Sequence, residues 1–299
     1  MDSEALQTFV TIHRAGGFSA AAQVLNRSQP AISRRIALLE EELGIPLFER
    51  VTGGVALSQA GRALLPHAER VLAALKDAGD ALGDLQSGQA GSLSVAVVGT
   101  LASAGLTRVL KKFAARAPGV ELTLRTATSA EVSELVRSGE ATIGLRYFND
   151  RSPDLIGFAL RPEPLAVACA PDHARADKRV ARFADLGDEH WLAFPPPPDF
   201  EEPSAANIFA QFLLRGVGRF RWTAIDSLTA QKRLVEAGFG IALLPESSIA
   251  EERAAKSLAV IRVGDLDAAN PVTAITRKGG YLSPASRKLL EILKADFRG

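Results

Sequence analysis

Seven apolar residues, Leu64, Ala68, Val71, Leu75, Ala78, Leu82 and Leu85, are spaced 4, 3, 4, 3, 4, 3 along an Ala- and Leu-rich stretch. That spacing is the a/d repeat of a long helix, whose apolar stripe needs a second helix to cover it. A helix over residues 59–88 is therefore expected to pair with another copy of the chain. The alternative is a single amphipathic helix lying on its own protein. The acids Glu69, Asp77, Asp80 and Asp84 stay off the seam, which favours the dimer. The chain has 299 residues, the length of two folded units and a connector, so the helix divides residues 1–58 from residues 89–299.

Composition narrows the class. Lys and Arg number 35 against 34 Asp and Glu, a net charge of +1, which excludes a disordered polyelectrolyte and any strong basic field over the whole chain. Hydrophobic residues make up 47%, enough for real cores. Cys169 is the single cysteine, so an internal disulfide framework and a thiolate zinc cluster are excluded. The chain opens Met1-Asp2-Ser3-Glu4, acidic where a secretory leader needs basic residues, and carries no long apolar run. It is expected to be soluble and cytoplasmic, without a membrane partner.

Residues 1–58 read as short helices. Leu6, Phe9, Val10 and His13 form one helical stripe that Gly16-Gly17 ends. Ser19 can cap a second helix with Ala22 and Leu25 facing inward, and Asn26-Arg27 makes a tight corner. Ser28 or Gln29 opens a third helix with Pro30 in its first turn, a buried stripe of Ile32, Ile36, Leu39 and Leu43, and Gly44 as its stop. Two short helices joined by a tight turn, the second with an exposed polar face, make a helix-turn-helix. A wing follows, with Leu47-Phe48 and Val55-Ala56-Leu57 as strands around a Gly53-Gly54 turn, and Ser58 caps the long helix.

A recognition helix offers hydrogen-bonding side chains to base edges from its first turns. Gln29 can pair bidentately with adenine and Arg34 with guanine O6 and N7. Ser28 and Ser33 suit phosphate or base contacts, and Arg35 suits phosphate. The competing reading is a solvated polar face. Residues 1–58 hold five basic and six acidic residues, so few phosphates can be neutralised per protomer and site-specific contacts must carry more of the affinity. Two such helices held apart by a dimer read half-sites about 34 Å apart or a multiple of that, hence an interrupted inverted repeat in double-stranded DNA.

Four linked blocks then occur in order. They are Phe18-Ser19-Ala20-Ala21-Ala22-Gln23-Val24-Leu25, Ser28-Gln29-Pro30-Ala31-Ile32-Ser33-Arg34-Arg35-Ile36, Leu39-Glu40-Glu41-Glu42-Leu43-Gly44-Ile45-Pro46-Leu47-Phe48-Glu49-Arg50, and Leu57-Ser58-Gln59-Ala60-Gly61. In these blocks the chain resembles the LysR-type transcriptional regulators, most closely in residues 1–65. The resemblance implies an α/β protein with an N-terminal winged helix-turn-helix, a dimerising linker helix and a C-terminal two-lobed effector domain like the periplasmic binding proteins. It places lobe I at about 91–162 and 267–299 and lobe II at about 163–266. By the same resemblance Gln29, Pro30, Ser33 and Arg34 are base-proximal, with Ser28, Arg35 and Arg50 nearer the backbone. It also implies a homodimer or homotetramer, contact with RNA polymerase, and no catalysis or cofactor. The wing tip, Val51-Thr52-Gly53-Gly54-Val55, is uncharged where the family often carries a basic residue, which weakens the case for minor-groove contact.

From Gly91 onward β-type runs alternate with helical patterns, the signature of βα units around mostly parallel sheets. Strands are expected at 93–98, 121–126, 142–145, 165–168, 191–194, 220–225, 241–244, 258–263 and 272–276, and helices near 106–117, 129–137 and 284–297. Ligands of open α/β sheets sit beyond the carboxyl ends of strands. That rule selects Thr100, Ser103, Thr128, Ser129, Arg146, the Phe194–Pro198 turn, Asp226 and Ser227. For Thr128, Ser103, Ser129 and Ser227 helix capping is the competing role. Ile225-Asp226-Ser227-Leu228 through Gly240-Ile241-Ala242-Leu243-Leu244-Pro245 resembles the block lining the interlobe cleft of LysR-type proteins, where relatives often touch the effector at the positions of Thr100, Ser129 and Ser227. Thr142 stands where relatives commonly place aspartate. Arg146 is the cleft's candidate anion ligand, with a salt bridge as its alternative. A small anionic or polar effector between the lobes is the expectation.

Rival classes fare worse. Gly238-Phe239-Gly240 precedes a strand and lacks a third glycine, so it reads as a helix stop and not a dinucleotide motif. His13, His67, His173 and His190 are scattered, with no metal pair, and no nucleophile elbow occurs. Cys169 lies in an apolar strand and reads as a core thiol. A solute-binding protein would suit the C-terminal unit alone, but not the DNA-reading helices attached to it.

Overall fold

A computed structural model describes residues 1–51, 54–87, 91–195 and 208–297. Helix α1 (Ser3–Ala15) starts at Asp2, whose Oδ1 accepts the Ala5 amide at 2.7 Å, and stops at Gly16, φ 75°. Helix α2 (Phe18–Val24) follows, then the corner at Asn26, φ 53°, and α3 (Gln29–Leu43), closed by Gly44 at φ 70°. Phe9, Ile12, Ile32, Ile36, Leu39 and Leu47 fill the core of this unit, with the Phe48 ring against those of Phe9 and Phe18. Three expectations need correction. Ser19 does not cap α2, because the helix begins at Phe18 with Gly17 at its cap, two residues before Ser19. His13 stays in water on the last turn of α1, and Leu43 is 39% exposed at the end of α3, past the core that buries the rest of each stripe.

Strands β1 (Phe48–Val51) and β2 (Gly54–Leu57) pair antiparallel as a wing; Thr52 and Gly53 of its turn lie outside the described residues. Glu40 fixes the wing to α3, its Oε1 accepting the amides of Leu47 (2.6 Å) and Phe48 (3.3 Å). Helix α4 (Gln59–Ser87) is capped by Ser58, whose Oγ accepts the Gly61 amide at 3.0 Å and donates to the Pro46 carbonyl at 2.7 Å.

The apolar seam of α4 divides. Leu64 and Ala68 pack on the core of the first unit, whereas Val71, Leu75, Leu82 and Leu85 are 45%, 53%, 62% and 81% exposed. The acidic face lies on the protein itself: Asp77 accepts from Arg277 Nη2 (2.7 Å) and the Tyr281 amide (3.0 Å), and Asp84 from the Tyr281 hydroxyl (2.9 Å). The polar side of the helix is thus anchored and the apolar side left open.

The second unit contains β3 (Ser92–Val98), α5 (Ala104–Arg116), β4 (Glu121–Ala127), α6 (Ser129–Arg137), β5 (Ile143–Tyr147), β6 (Leu155–Cys169), β7 (Arg179–Val180) and β8 (His190–Ala193). Then come α7 (Ile208–Leu213), β9 (Arg221–Ala224), α8 (Leu228–Glu236), β10 (Ala242–Pro245), α9 (Ala250–Ala254), β11 (Ala259–Val263), β12 (Ala269–Arg277) and α10 (Pro284–Asp296). The sheet runs β4-β3-β5-β12-β6-β11-β7 with β10 also on β6, and β8 pairs β9 separately.

The alternating pattern predicts mostly parallel pairing, and only part of the sheet follows it. β4, β3 and β5 are parallel, but β12 is antiparallel to both β5 and β6, and β10 and β11 are antiparallel to β6. The run expected at residues 165–168 is the end of the 15-residue β6, which changes partners midway. It pairs β12 from Leu155 to Pro164, then β10 and β11 from Leu165 to Cys169. β6 and β12 therefore carry the chain between two cores. One core joins β3, β5, α5 and α10, with α6 closing the opposite face of the sheet through Val132 and Val136. The other surrounds Trp191, whose ring touches Phe183 and Phe212. Cys169 is buried there, and burial above all pushes its thiol up to about 12, far from a reactive thiolate.

Candidate DNA interface and interlobe site

Helix α3 keeps its apolar stripe inward and presents Ser28, Gln29, Pro30 and Arg34 to solvent, with Ser33 half-buried beside them. Ser28 occupies the N-cap position but makes no capping bond, so its hydroxyl is not spent on the helix end. Gln29 Nε2 donates to Ser33 Oγ at 2.9 Å, one turn on, which holds the amide along the helix face. Arg35 turns the other way and pairs with Glu4 of α1, so it braces α3 against α1 in this state. Arg50 is exposed on β1, where α2, α3 and the wing enclose a groove of about 740 Å³. Arg34 and Arg50 are exposed on this surface, and Arg27 is exposed at the corner before Ser28.

The expected effector residues fall at two strand ends. In the first lobe, β3 is in register with β4 (Val98 beside Ala127) and with β5 (Val97 beside Leu145), which brings Thr100, Thr128, Ser129 and Tyr147 to one edge. Thr100 is buried, its Oγ1 2.8 Å from the Tyr147 hydroxyl, and Ser129 Oγ accepts the Tyr147 amide at 3.3 Å. Thr128 forms a reciprocal cap with Glu131, and hydrogen bonds from Thr128 hold the Glu131 carboxyl below its usual range. Ser103 sits at the N-cap of α5 without a side-chain capping bond.

In the second lobe β8 and β9 run parallel, so Phe194, Asp226 and Ser227 share an edge, with the Ile225 amide on the Ala193 carbonyl at 2.8 Å. Phe194 and Asp226 are exposed, and Ser227 caps α8 through the Ala230 amide at 3.4 Å. Pro196, Pro197 and Pro198 of the proline run lie outside the described residues.

Arg146 needs correction as an anion ligand. Its side chain is 1% exposed and Nη1 lies 3.2 Å from Asp150. Successive strand residues point to opposite faces, so with Tyr147 turned to Thr100, Arg146 faces the other side of the sheet. Burial would raise the Asp150 carboxyl, but hydrogen bonding led by Ser152, with the Arg146 charge, holds it at about 2. The salt bridge is the role that this geometry gives Arg146.

A buried polar chain joins the two lobes, and the sequence pattern does not reveal it. Tyr147 donates to Glu163 Oε2 at 2.8 Å, and Ser247, in the 3₁₀ turn Glu246–Ile249, donates to Glu163 Oε1 at 2.5 Å. Burial and the Glu163 carboxyl push the Tyr147 hydroxyl up, and burial pushes Glu163 up against the hydrogen bonds from Ser247 and Tyr147. The available hint was a carboxylate between two prolines, Pro162-Glu163-Pro164, inside an apolar strand. No helix among the described residues is long and apolar enough to cross a membrane.

Comparison with known proteins matches both units of the chain. The family described as "Bacterial regulatory helix-turn-helix protein, lysR family" matches residues 3–62, and "LysR substrate binding domain" matches residues 86–298. The chain is similar to the HTH-type transcriptional regulator CbbR of Rhodospirillum rubrum, 31% identical over 98% of this chain and 96% of that one. It is also similar to the HTH-type transcriptional regulator CitR of Bacillus subtilis, 27% identical over 98% of each. Among solved structures it resembles CbnR, a LysR family transcriptional regulator, at 27% identity and TM-score 0.69 over the full length of both chains. Full-length CbnR in complex with its target DNA gives a TM-score of 0.67.

Proposed function

The chain belongs to the LysR family and is a transcriptional regulator with a helix-turn-helix DNA-binding domain and an effector-binding domain, not a free-standing solute-binding protein; from that premise we propose how its own residues divide the work. Residues 1–58 read DNA, residues 59–88 join two copies, and residues 89–299 take a small polar or anionic molecule between the lobes. Gln29, Pro30, Ser33 and Arg34 contact bases in the major groove, and Ser28 and Arg50 contact the backbone. Arg35 reaches phosphate after exchanging Glu4 for it. The observation that carries this is the exposed Gln29–Arg34 face over a sealed apolar stripe.

Pairing through the open half of the α4 seam sets the two recognition helices about 34 Å apart or a multiple of that, so the operator is an interrupted inverted repeat. A tetramer adds contacts between effector domains. In the cleft, Thr100, Ser103, Thr128, Ser129, Phe194, Asp226 and Ser227 meet the effector through hydroxyls, helix-end amides and one aromatic wall. An effector shifts the equilibrium of lobe arrangements only by its differential affinity for them. The Asp77 and Asp84 anchors pass lobe I movement to α4 and so to the spacing of the recognition helices. The protein acts in the cytoplasm alongside RNA polymerase and catalyses no reaction, with no cofactor or metal.

The test is a gel shift and footprint on the DNA flanking the protein's own gene. Full-length protein protects two half-sites one or more helical turns apart. A fragment of residues 1–58 binds the same DNA far more weakly, because each half-site alone makes few phosphate contacts. Full affinity in that fragment refutes the division of labour. A metabolite screen by calorimetry with no hit dependent on Ser227 or Thr100 counts against the cleft residues.

A further inference from the structure

Two strands, β6 and β12, cross between the lobes, and at their crossing the register slips: Asn270 faces Glu163 and Val272 faces Leu160, leaving Arg161 and Pro162 opposite Pro271 alone. Three of the residues in this stretch, Pro162, Pro164 and Pro271, are prolines without an amide to donate, so the backbone ladder is thinnest where the lobes join. Side chains take its place. Glu163 is 9% exposed and each of its oxygens is held by one lobe: Oε2 by the Tyr147 hydroxyl at 2.8 Å and Oε1 by the Ser247 hydroxyl at 2.5 Å. Since Tyr147 donates its proton to Glu163, the 2.8 Å contact with Thr100 is a bond from Thr100 to the Tyr147 oxygen. Asn270, opposite Glu163 on the facing strand, is fully buried.

We propose that Glu163 is a positioning residue that latches the two lobes, its carboxyl gripped by Tyr147 from one and Ser247 from the other. A carboxyl group buried this deeply is tolerable only with its oxygens satisfied, and losing one donor leaves a desolvated acceptor. Rotation of one lobe against the other moves Ser247 relative to Tyr147, so the latch holds one lobe angle and must release a donor for the lobes to reach another. The 3₁₀ turns Gly99–Leu101 and Glu246–Ile249 meet beside it, so the latch sits where the two lobes touch. Its proton chain ends at Thr100, so a ligand that captures the Thr100 hydroxyl removes a donor from Tyr147. That last link rests on the cleft reading above; the latch itself does not.

The experiment uses the full-length protein without any effector. Backbone hydrogen exchange is followed by mass spectrometry in wild type, Ser247→Ala, Tyr147→Phe and the double variant. Ser247→Ala speeds exchange roughly 10- to 150-fold, the effect of one charge-assisted hydrogen bond, in peptides covering residues 246–249 and 155–169. It also speeds exchange at 99–101 in the other lobe, while β3 and α10 keep wild-type protection. Tyr147 and Ser247 act through one carboxyl, so the double variant departs from the product of the single effects by threefold or more, and Ser247→Ala adds little in a Glu163→Ala background. Exchange in the opposite lobe unchanged by Ser247→Ala overturns the latch. So does simple multiplication of the two effects. If Tyr147→Phe fails to fold, the Ser247→Ala and Glu163→Ala pair decides the same question. A missing effector hit in the screen above leaves this result untouched.

Discussion

Replacing Leu82 by Asp tests how the chain associates, because that residue is 62% exposed on the open half of the α4 seam. Fully burying a leucine side chain contributes about 1.5–3 kcal/mol, so covering the exposed part gives about 1–2 kcal/mol per copy. A pair of helices meets this side chain twice, for about 2–4 kcal/mol lost on substitution, and carboxylates facing each other in the seam add a desolvation cost of a few more. A total near 4 kcal/mol or above raises the dissociation constant about a thousandfold. The protomer itself should hardly notice, since an exposed substitution away from caps and cores stays within about 0.5 kcal/mol. Sedimentation equilibrium at micromolar protein should therefore report wild type as a dimer or tetramer. Leu82→Asp should fall to a smaller species that keeps the wild-type circular-dichroism spectrum. Val24→Asp, equally exposed at 65% but on α2, serves as the control and keeps the wild-type mass. If Leu82→Asp sediments like wild type, the seam does not hold the oligomer and the proposed spacing of the recognition helices loses its basis.

Other outcomes follow from particular residues. Arg34→Ala should weaken operator binding about 10- to 100-fold and relax preference at one base pair per half-site, read by gel shift on single-base variants of the footprinted DNA. Arg50→Ala should instead weaken all sequences alike and flatten the salt dependence by about one unit of log–log slope per protomer. Gly61→Ala would place a Cβ 2.2 Å from the Leu47 carbonyl oxygen, against backbone that cannot move aside, and should cost about 2 kcal/mol or more in urea unfolding. Asp150→Asn addresses a carboxyl held at about 2, below its unfolded value, so its contribution is present above about pH 4 and fades as pH falls towards 2. The stability gap between wild type and Asp150→Asn should be full at pH 6 and close near pH 2. A gap independent of pH would mean that the hydrogen bonds led by Ser152, together with the Arg146 charge, do not hold this carboxyl ionised.

What the sequence determined by itself is the local structure that short-range rules govern. The caps at Gly16, Gly44 and Ser58, the corner at Asn26 and the inward stripe of α3 depend on neighbours within a turn or two, and so does the exposed Gln29–Arg34 face. Tertiary structure decided the rest, because it depends on which distant residues meet. The heptad stripe of α4 could not say that its first turns would cover the helix-turn-helix core while its acidic face docked on Arg277 and Tyr281, since those partners lie about 200 positions along the chain. The apolar run at residues 165–168 did not reveal β6 crossing between lobes, because periodicity does not record which strand lies beside it. Strand parity settled Arg146: one residue decides which face a side chain takes, and the sheet placed Asp150 on that face. Glu163 depended most on the fold. A lone carboxylate between prolines has no pattern to read, and only the meeting of two lobes supplies the two hydroxyls that let it be buried.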